Sequence, residues 1–183
     1  MPPAKGGGME IFMSFTTPTT RSYNMRLRDY YSGNRDAAKK SLRASKKNTE
    51  LIKADSDAVR NVSKALRNME YTTKTGNDIY CNVKSFIDTY NNLMTTTSGS
   101  DEYNISHPKK LLQKLTKNEK EALSDIGITL ESAGTLKLDE KKFLEATPTK
   151  IASIFSENSE FTQKVNFYAG KIYKAARHID TQA

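Results

Sequence analysis

Hydrophobic and polar positions repeat with a helical period along much of the chain, most regularly over residues 51–94. Small or apolar residues recur there at alternating spacings of four and three, which is typical of long helix–helix contacts. The pattern predicts one long helix or a pair of helices whose seam faces another helix. The seam residues are Ala58, Val62, Ala65, Met69, Thr72, Gly76, Ile79, Val83, Phe86, Tyr90 and Leu93.

The weakest part of this seam is the stretch 72–76, which contains three threonines and a glycine. These residues have low helix propensity. A break near Gly76 would let Asn77 or Asp78 cap a second helix. The sequence is therefore compatible with a continuous helix and with a helix pair.

Helical periodicity continues in the second half of the chain. A polar loop over 95–108, closed by Pro108, precedes a predicted helix over 109–124. Short helices over 140–146 and 148–155 follow, capped by Asp139 and Thr147, and Ser159 is placed to cap a last helix over 160–178. The expected inward residues of the two longer helices are Leu111, Leu112, Leu115 and Leu123, then Phe161, Val165, Tyr168 or Phe167, Ile172, and Ala175 or Ala176.

Between residues 126 and 138 the period changes from about 3.5 to two. Apolar and other residues alternate on both sides of the stretch 131–134, where Gly134 can adopt a positive φ. The alternation predicts a β-hairpin over 126–138 with one apolar face. That face must lie on the helices, because an isolated hairpin is only marginally stable in water. Its residues are Ile126, Ile128, Leu130, Leu136 and Leu138.

These patterns together predict a mainly α fold. Long antiparallel helices would form a coiled-coil-like bundle with a small β-hairpin at one end. The helical domain spans 51–183, and a basic helical segment spans 21–50. Residues 1–20 are expected to form a mostly disordered arm, because residues 1–8 are rich in proline and glycine, residues 16–20 are polar, and the apolar stretch 9–15 between them is short.

The formal net charge of +8 changes this picture because it is unevenly distributed. Residues 21–74 hold fourteen basic and six acidic residues, whereas residues 75–183 hold fourteen of each. One helical face in the basic segment predicts contacts with phosphate or with an acidic partner, and an ordinary solvated helix face is the alternative. The candidate contact residues are Arg35, Lys39, Lys40, Arg43, Lys46 and Lys47.

Candidate chemistry is sparse in this sequence. Cys81 is the single cysteine, and His107 and His178 are far apart along the chain, so no metal-ligand spacing occurs. We interpret Cys81 as a core residue on the helix seam and both histidines as surface residues. The sequence thus predicts no catalytic site, metal, cofactor or small-molecule substrate, and it contains no apolar run long enough for a membrane span.

Four stretches of the second half follow one another in a distinctive order. They are VKSFIDTYNNL (83–93), LSDIGITL (123–130), GTLKLDEKKFL (134–144) and PTKIASIFS (148–156). In residues, order and spacing they resemble the stem of the bacterial flagellar filament cap protein, also called hook-associated protein 2. The resemblance covers about residues 81–178, a little over half of the chain.

The resemblance implies a structural or assembly role without catalysis. In that family, helices and a small hairpin pack into a stem, and subunits gather at the filament tip. It also implies self-association or flagellar partners, and a location at the flagellum or outside the cell without a cleavable signal. The packing or interface residues would be Val83, Phe86, Tyr90 and Leu93 together with the hairpin face.

The family's long head domains and its N-terminal motif have no counterpart here, so we expect a stem module alone. The resemblance also leaves residues 21–74 unexplained. An alternative is therefore a cytoplasmic basic helical module that binds nucleic acid or an acidic protein partner through this segment.

Overall fold

The computed structural model describes residues 42–72 and 76–182, with side chains up to Ile179. Residues from Lys46 onward form one compact unit. The helices of this unit are α1 (Asn48–Arg67), α2 (Gly76–Thr96), α3 (Tyr103–Asn118), α4 (Lys120–Asp125), α5 (Glu140–Glu145), α6 (Pro148–Phe155) and α7 (Glu160–Gln182). The strands β1 (Ile128–Leu130) and β2 (Leu136–Leu138) lie between α4 and α5.

Four long helices, α1, α2, α3 and α7, form the antiparallel bundle. Helix α7 packs along both α1 and α3, and α1 also packs along α2. The direction of α2 relative to α1 is fixed near one end, where Thr96 Oγ1 donates a hydrogen bond to Asp55 Oδ2 over 3.0 Å. The predicted mainly α fold with long antiparallel helices and a small hairpin is confirmed.

The region 51–94 is a pair of helices, not one. Helix α1 ends at Arg67, and α2 begins at Gly76, so Asn77 and Asp78 lie within the first turn of α2. Neither Asn77 nor Asp78 is therefore the N-cap, because the helix has already begun at Gly76. Tyr71 is buried in the connection, and its hydroxyl donates to the backbone carbonyl of Leu66 over 2.8 Å.

The predicted seam is correct on α2 and wrong on α1. Ile79, Val83, Phe86, Tyr90 and Leu93 are all buried. On α1, however, Ala65 is exposed and Ala58 and Val62 are only half-buried. Of the remaining seam positions, Met69 is half-buried, and Thr72 and Gly76 are exposed. The buried face of α1 instead comprises Ile52, Asp55, Ser56, Val59, Ser63 and Leu66. Because the two helices are separate, each can be rotated about its own axis independently of the other. The buried face of α1 contains small polar residues, so hydrophobic periodicity does not reveal it.

Helix α3 starts earlier than its sequence predicts. It begins at Tyr103 and contains Pro108 within its second turn, although the sequence analysis placed a loop up to that proline. Proline lacks only one backbone N–H, so a helix can continue through it when one bond near its start is given up. The predicted inward residues Leu112, Leu115 and Leu123 are buried, and Leu111 is half-buried.

The hairpin pairs Ile128 with Leu138 and Leu130 with Leu136 in antiparallel register. Gly134 has a φ of 80° in the turn, as the sequence predicts. Ile126 lies before the first strand, as the residue that caps the C-terminus of α4, and it is fully buried. The predicted hairpin was therefore right in its turn and apolar face, and too long at its start.

The short helices are capped as predicted. Asp139 accepts a hydrogen bond from Lys142 N (3.0 Å), and Thr147 accepts one from Lys150 N (3.4 Å). Ser159 Oγ accepts one from Thr162 N at the start of α7. On α7 the buried residues are Phe161, Thr162, Val165, Ala169, Ile172 and Ala176, whereas Phe167 is exposed and Tyr168 and Ala175 are half-buried.

Candidate functional site

The nine predicted packing residues all belong to the hydrophobic core. Val83, Phe86, Tyr90, Leu93, Ile126, Ile128 and Leu136 are buried, and Leu130 and Leu138 are half-buried and pack against the same core. The hairpin therefore presents its apolar face to the helices. In this unit the seven buried residues serve packing within the chain, and Leu130 and Leu138 remain partly exposed.

Phe86 lies at the centre of an aromatic cluster that joins three helices. Its ring centroid is 5.4 Å from that of Phe155 on α6, in an edge-to-face arrangement, and 6.2 Å from that of Phe161 on α7. Tyr90, one turn further along α2, is 6.1 Å away. Edge-to-face aromatic pairs each contribute about 0.5–1.5 kcal/mol beyond the area they bury. Phe86 thus couples α2 to the last two helices of the chain.

Tyr90 brings a polar group into this core and satisfies it. Its hydroxyl is 2.9 Å from Thr116 Oγ1 on α3, and Thr116 also donates to the Leu112 carbonyl. Burial raises the pKa of Tyr90 to about 12, although the hydrogen bond with Thr116 acts in the opposite direction. The phenol is therefore neutral at physiological pH and ties α2 to α3.

Asn91 is the structural residue that sequence reasoning missed. Its side-chain amide donates from Nδ2 to the Leu136 carbonyl (2.8 Å) and accepts at Oδ1 from the Leu136 N–H (2.8 Å). Both backbone groups belong to the edge of β2 that does not pair with β1. The amide acts as a one-residue third strand, which fixes the hairpin on α2 and covers part of an exposed sheet edge.

The four stretches that carry the family resemblance contact one another in space. Asn91 in the first binds Leu136 in the third, and Phe86 in the first packs on Phe155 in the fourth. Gly127 in the second has a φ of 80°, and a Cβ there would lie 2.9 Å from Phe143 N in the third. This glycine is required for its backbone conformation and for close packing against α5.

Only part of the basic candidate contact face lies within the described residues. Arg35, Lys39 and Lys40 fall outside them. Arg43 is half-buried, and Lys46 and Lys47 are exposed just before α1. Lys46 Nζ lies 3.8 Å from Glu50 Oε2, an exposed pair one turn apart.

The three residues weighed as candidate chemistry lie on the surface. Cys81 is exposed on α2, so its interpretation as a core residue was wrong. It follows Tyr80, which turns toward α5 and packs on Phe143. His107 and His178 are exposed, as expected, but the bundle brings both to one groove between α3 and α7.

Within residues 42–72 and 76–182, no group of three or more His, Cys, Asp or Glu side chains is placed to hold a metal ion. None of the helices in the described part of the chain has the length and apolar character that a membrane span requires. The chain matches no protein-family model, no curated protein and no solved structure.

Proposed function

We propose that the chain is a structural or assembly module, similar to the stem of the flagellar filament cap, that acts by helical packing and association with itself or flagellar partners. The proposal includes no catalysis and no cofactor. It assigns the protein to the bacterial flagellum or the extracellular space.

One observation carries this proposal: the stretches that resemble the cap stem form a single contacting unit. The four stretches that carry the resemblance are spread over 74 positions, from Val83 to Ser156. The double hydrogen bond from Asn91 to Leu136 and the ring contact of Phe86 with Phe155 join those positions directly. We expect a chain that shares the fold of the stem to bring these four stretches into contact with one another.

The proposal is tested in the bacterium that encodes the chain. A tagged copy of the full chain is expressed from its own locus, and filaments are sheared from the cells and fractionated. We expect the chain in the filament fraction or the medium, and we expect its deletion to change filament length or swimming. A wild-type copy supplied in trans should restore the original behaviour.

A chain that stays with the cell bodies, in a strain whose deletion leaves filaments and swimming unchanged, would contradict the proposal. The alternative, a cytoplasmic module that binds nucleic acid through residues 21–74, makes a different prediction. The purified full chain should then bind duplex or single-stranded DNA with an affinity that falls steeply as salt rises. Absence of binding at about 50 mM salt would exclude that alternative.

A further inference from the structure

A groove opens at the end of the bundle where α3 begins and α7 ends. It encloses about 750 Å³. Its apolar lining consists of the buried Pro108 and the half-buried Ala175 and Ile179. Its polar lining includes Tyr103 and His107 from α3 and Lys171, Lys174 and His178 from α7. The groove therefore combines an apolar floor with several polar groups that could fix the orientation of a ligand.

The two helices that form this groove are basic, although their half of the chain is neutral overall. Residues 103–118 contain four lysines and no acidic residue. Helix α7 contains three lysines and one arginine against two acidic residues, Glu160 and Asp180, at its ends. Both helices therefore carry a net positive charge. Among the lining residues of the groove Glu102 is the acidic one.

Exposed aromatic rings flank the cations of this surface. Tyr103 is 69% exposed and stacks on His107, with ring centroids 5.2 Å apart and ring planes inclined by 16°. Phe167 is 58% exposed, and Lys171 Nζ lies 5.1 Å from its ring centroid. Aromatic residues are enriched in protein interfaces and frequently provide much of the binding energy.

We propose that this groove binds an acidic peptide segment of a partner protein. Its carboxylates would meet Lys171 and Lys174, which lie about one helical turn apart, a rise of roughly 4.5 Å. Its apolar side chains would lie on Pro108 and Ile179, beside the Tyr103 ring. The inference goes beyond the proposed function, because an acidic partner could be recognised in or outside a flagellum.

Charge decides between the possible occupants. Lys171 and Lys174 outnumber Glu102 in the groove, and both α3 and α7 carry a net positive charge, which favours an acidic occupant. A nucleic acid is less suited, because its phosphates recur at every nucleotide while Glu102 lies in the groove beside only two lysines. A peptide can place its carboxylates selectively at the lysines and its apolar residues on the remaining surface.

The test measures fluorescence anisotropy of a labelled peptide of repeated Glu-Asp-Phe triplets, titrated with the full chain at low salt. We expect saturable binding that weakens as salt rises. The double substitution Lys171→Glu with Lys174→Glu should weaken it by about tenfold or more. The matched control, Lys141→Glu with Lys142→Glu, changes the net charge equally at exposed lysines of α5 and should retain most of the affinity.

Absence of saturable binding by the wild-type chain would overturn the proposal. So would equal losses in both double variants, because general charge attraction would then explain the binding. If single-stranded DNA binds more tightly and is lost in the Lys171/Lys174 variant, the groove is a nucleic-acid site instead. Should that variant fail to fold by circular dichroism, Tyr103→Ala replaces it, and unchanged affinity in Tyr103→Ala would then contradict the proposal.

Discussion

The buried faces of α1 and α2 differ in amino-acid composition. The buried face of α2 carries large apolar and aromatic residues, among them Val83, Phe86 and Leu93. The buried face of α1 intersperses Asp55, Ser56 and Ser63 among its apolar residues. Hydrophobic periodicity therefore reveals the α2 face and misses the α1 face, even though both are core.

The interface between α1 and α7 also uses smaller and more polar residues than the aromatic cluster around Phe86. Helix α7, against which α1 packs, buries Ala169 and Ala176. A Cβ atom placed on its Gly170 would lie 3.5 Å from Arg60 Nε. Asn166 on α7 donates a hydrogen bond to the Arg60 carbonyl over 3.1 Å. Packing at this interface depends on small side chains and polar contacts, whereas packing at α2 depends on volume.

The largest expected effect on stability comes from a substitution that disrupts the buried face of α2. Replacing Phe86 by Asp removes the centre of the aromatic cluster and places a carboxylate where no polar partner is positioned among the described residues. Loss of a buried Phe costs about 3–5 kcal/mol, and an unpaired buried charge adds to it. We expect loss of the cooperative thermal transition and of native helix content.

Phe167→Asp, at an exposed position of α7, is the matched control and should keep the wild-type melting temperature within about 3 °C. An unchanged transition in Phe86→Asp would show that the α2 core is not what holds the bundle.

The second effect tests the attachment of the hairpin to α2. Asn91→Ala leaves the Leu136 N–H and carbonyl without their partner, so we expect a loss of about 2–3 kcal/mol in the free energy of unfolding. Asn92→Ala, at the neighbouring exposed position, is the control and should cost little. Urea denaturation measures both. Equal stability of the two variants would mean that the hairpin is held by its apolar face alone.

The third effect concerns the α1 face. Among the described residues, the buried Ser63 Oγ has no hydrogen-bond partner. Ser63→Ala should therefore be neutral or stabilising by up to about 1 kcal/mol, because it removes an unsatisfied buried hydroxyl. Ser63→Leu should destabilise by about 1–3 kcal/mol, because a close-packed site cannot accept its volume. If the leucine variant were more stable than the alanine variant, the α1 face would be an underpacked apolar surface, and the contrast with α2 would disappear.

The smallest effect depends on pH. Tyr90→Phe removes the hydrogen bond to Thr116 and should cost about 1 kcal/mol near neutral pH. The folded pKa of Tyr90 is about 12 against an ordinary value of 10.0, so its neutral form stabilises the fold below pH 10. That contribution is lost as pH rises from about 10 to about 12, because the unfolded tyrosine ionises first. The wild type should lose on the order of 2 kcal/mol more than Tyr90→Phe over this window. Parallel stability curves for the two proteins would contradict the assignment.

The same contrast explains what the sequence could predict. The hairpin was predictable because Gly134 allows the turn and apolar residues alternate around it. The short helices were predictable because Asp139 and Thr147 occupy clear cap positions. The start of α3 was not, since Pro108 is a helix breaker by rule yet sits near the start of this helix.

The role of Asn91 and the α3–α7 groove could not be predicted from the sequence, because each depends on residues that are close only in the folded chain. An asparagine within a helix has no local signal that it binds a strand backbone 45 residues away. The groove joins His107 to His178, which are 71 positions apart, and the neutral charge of residues 75–183 concealed two basic helices within it. Charge summed over a long segment does not describe a surface.

The four stretches resembling the cap stem are expected to form one cooperative unit, in which Asn91 joins the first stretch to the third. Hydrogen exchange of the Leu136 amide, followed by NMR, tests it most directly, since this N–H bonds to a side chain of α2. We expect the Leu136 amide to exchange about as slowly as the core amides of α2 in the wild type, and much faster in Asn91→Ala. Rapid exchange at Leu136 in the wild type, while α2 stays protected, would contradict the claim.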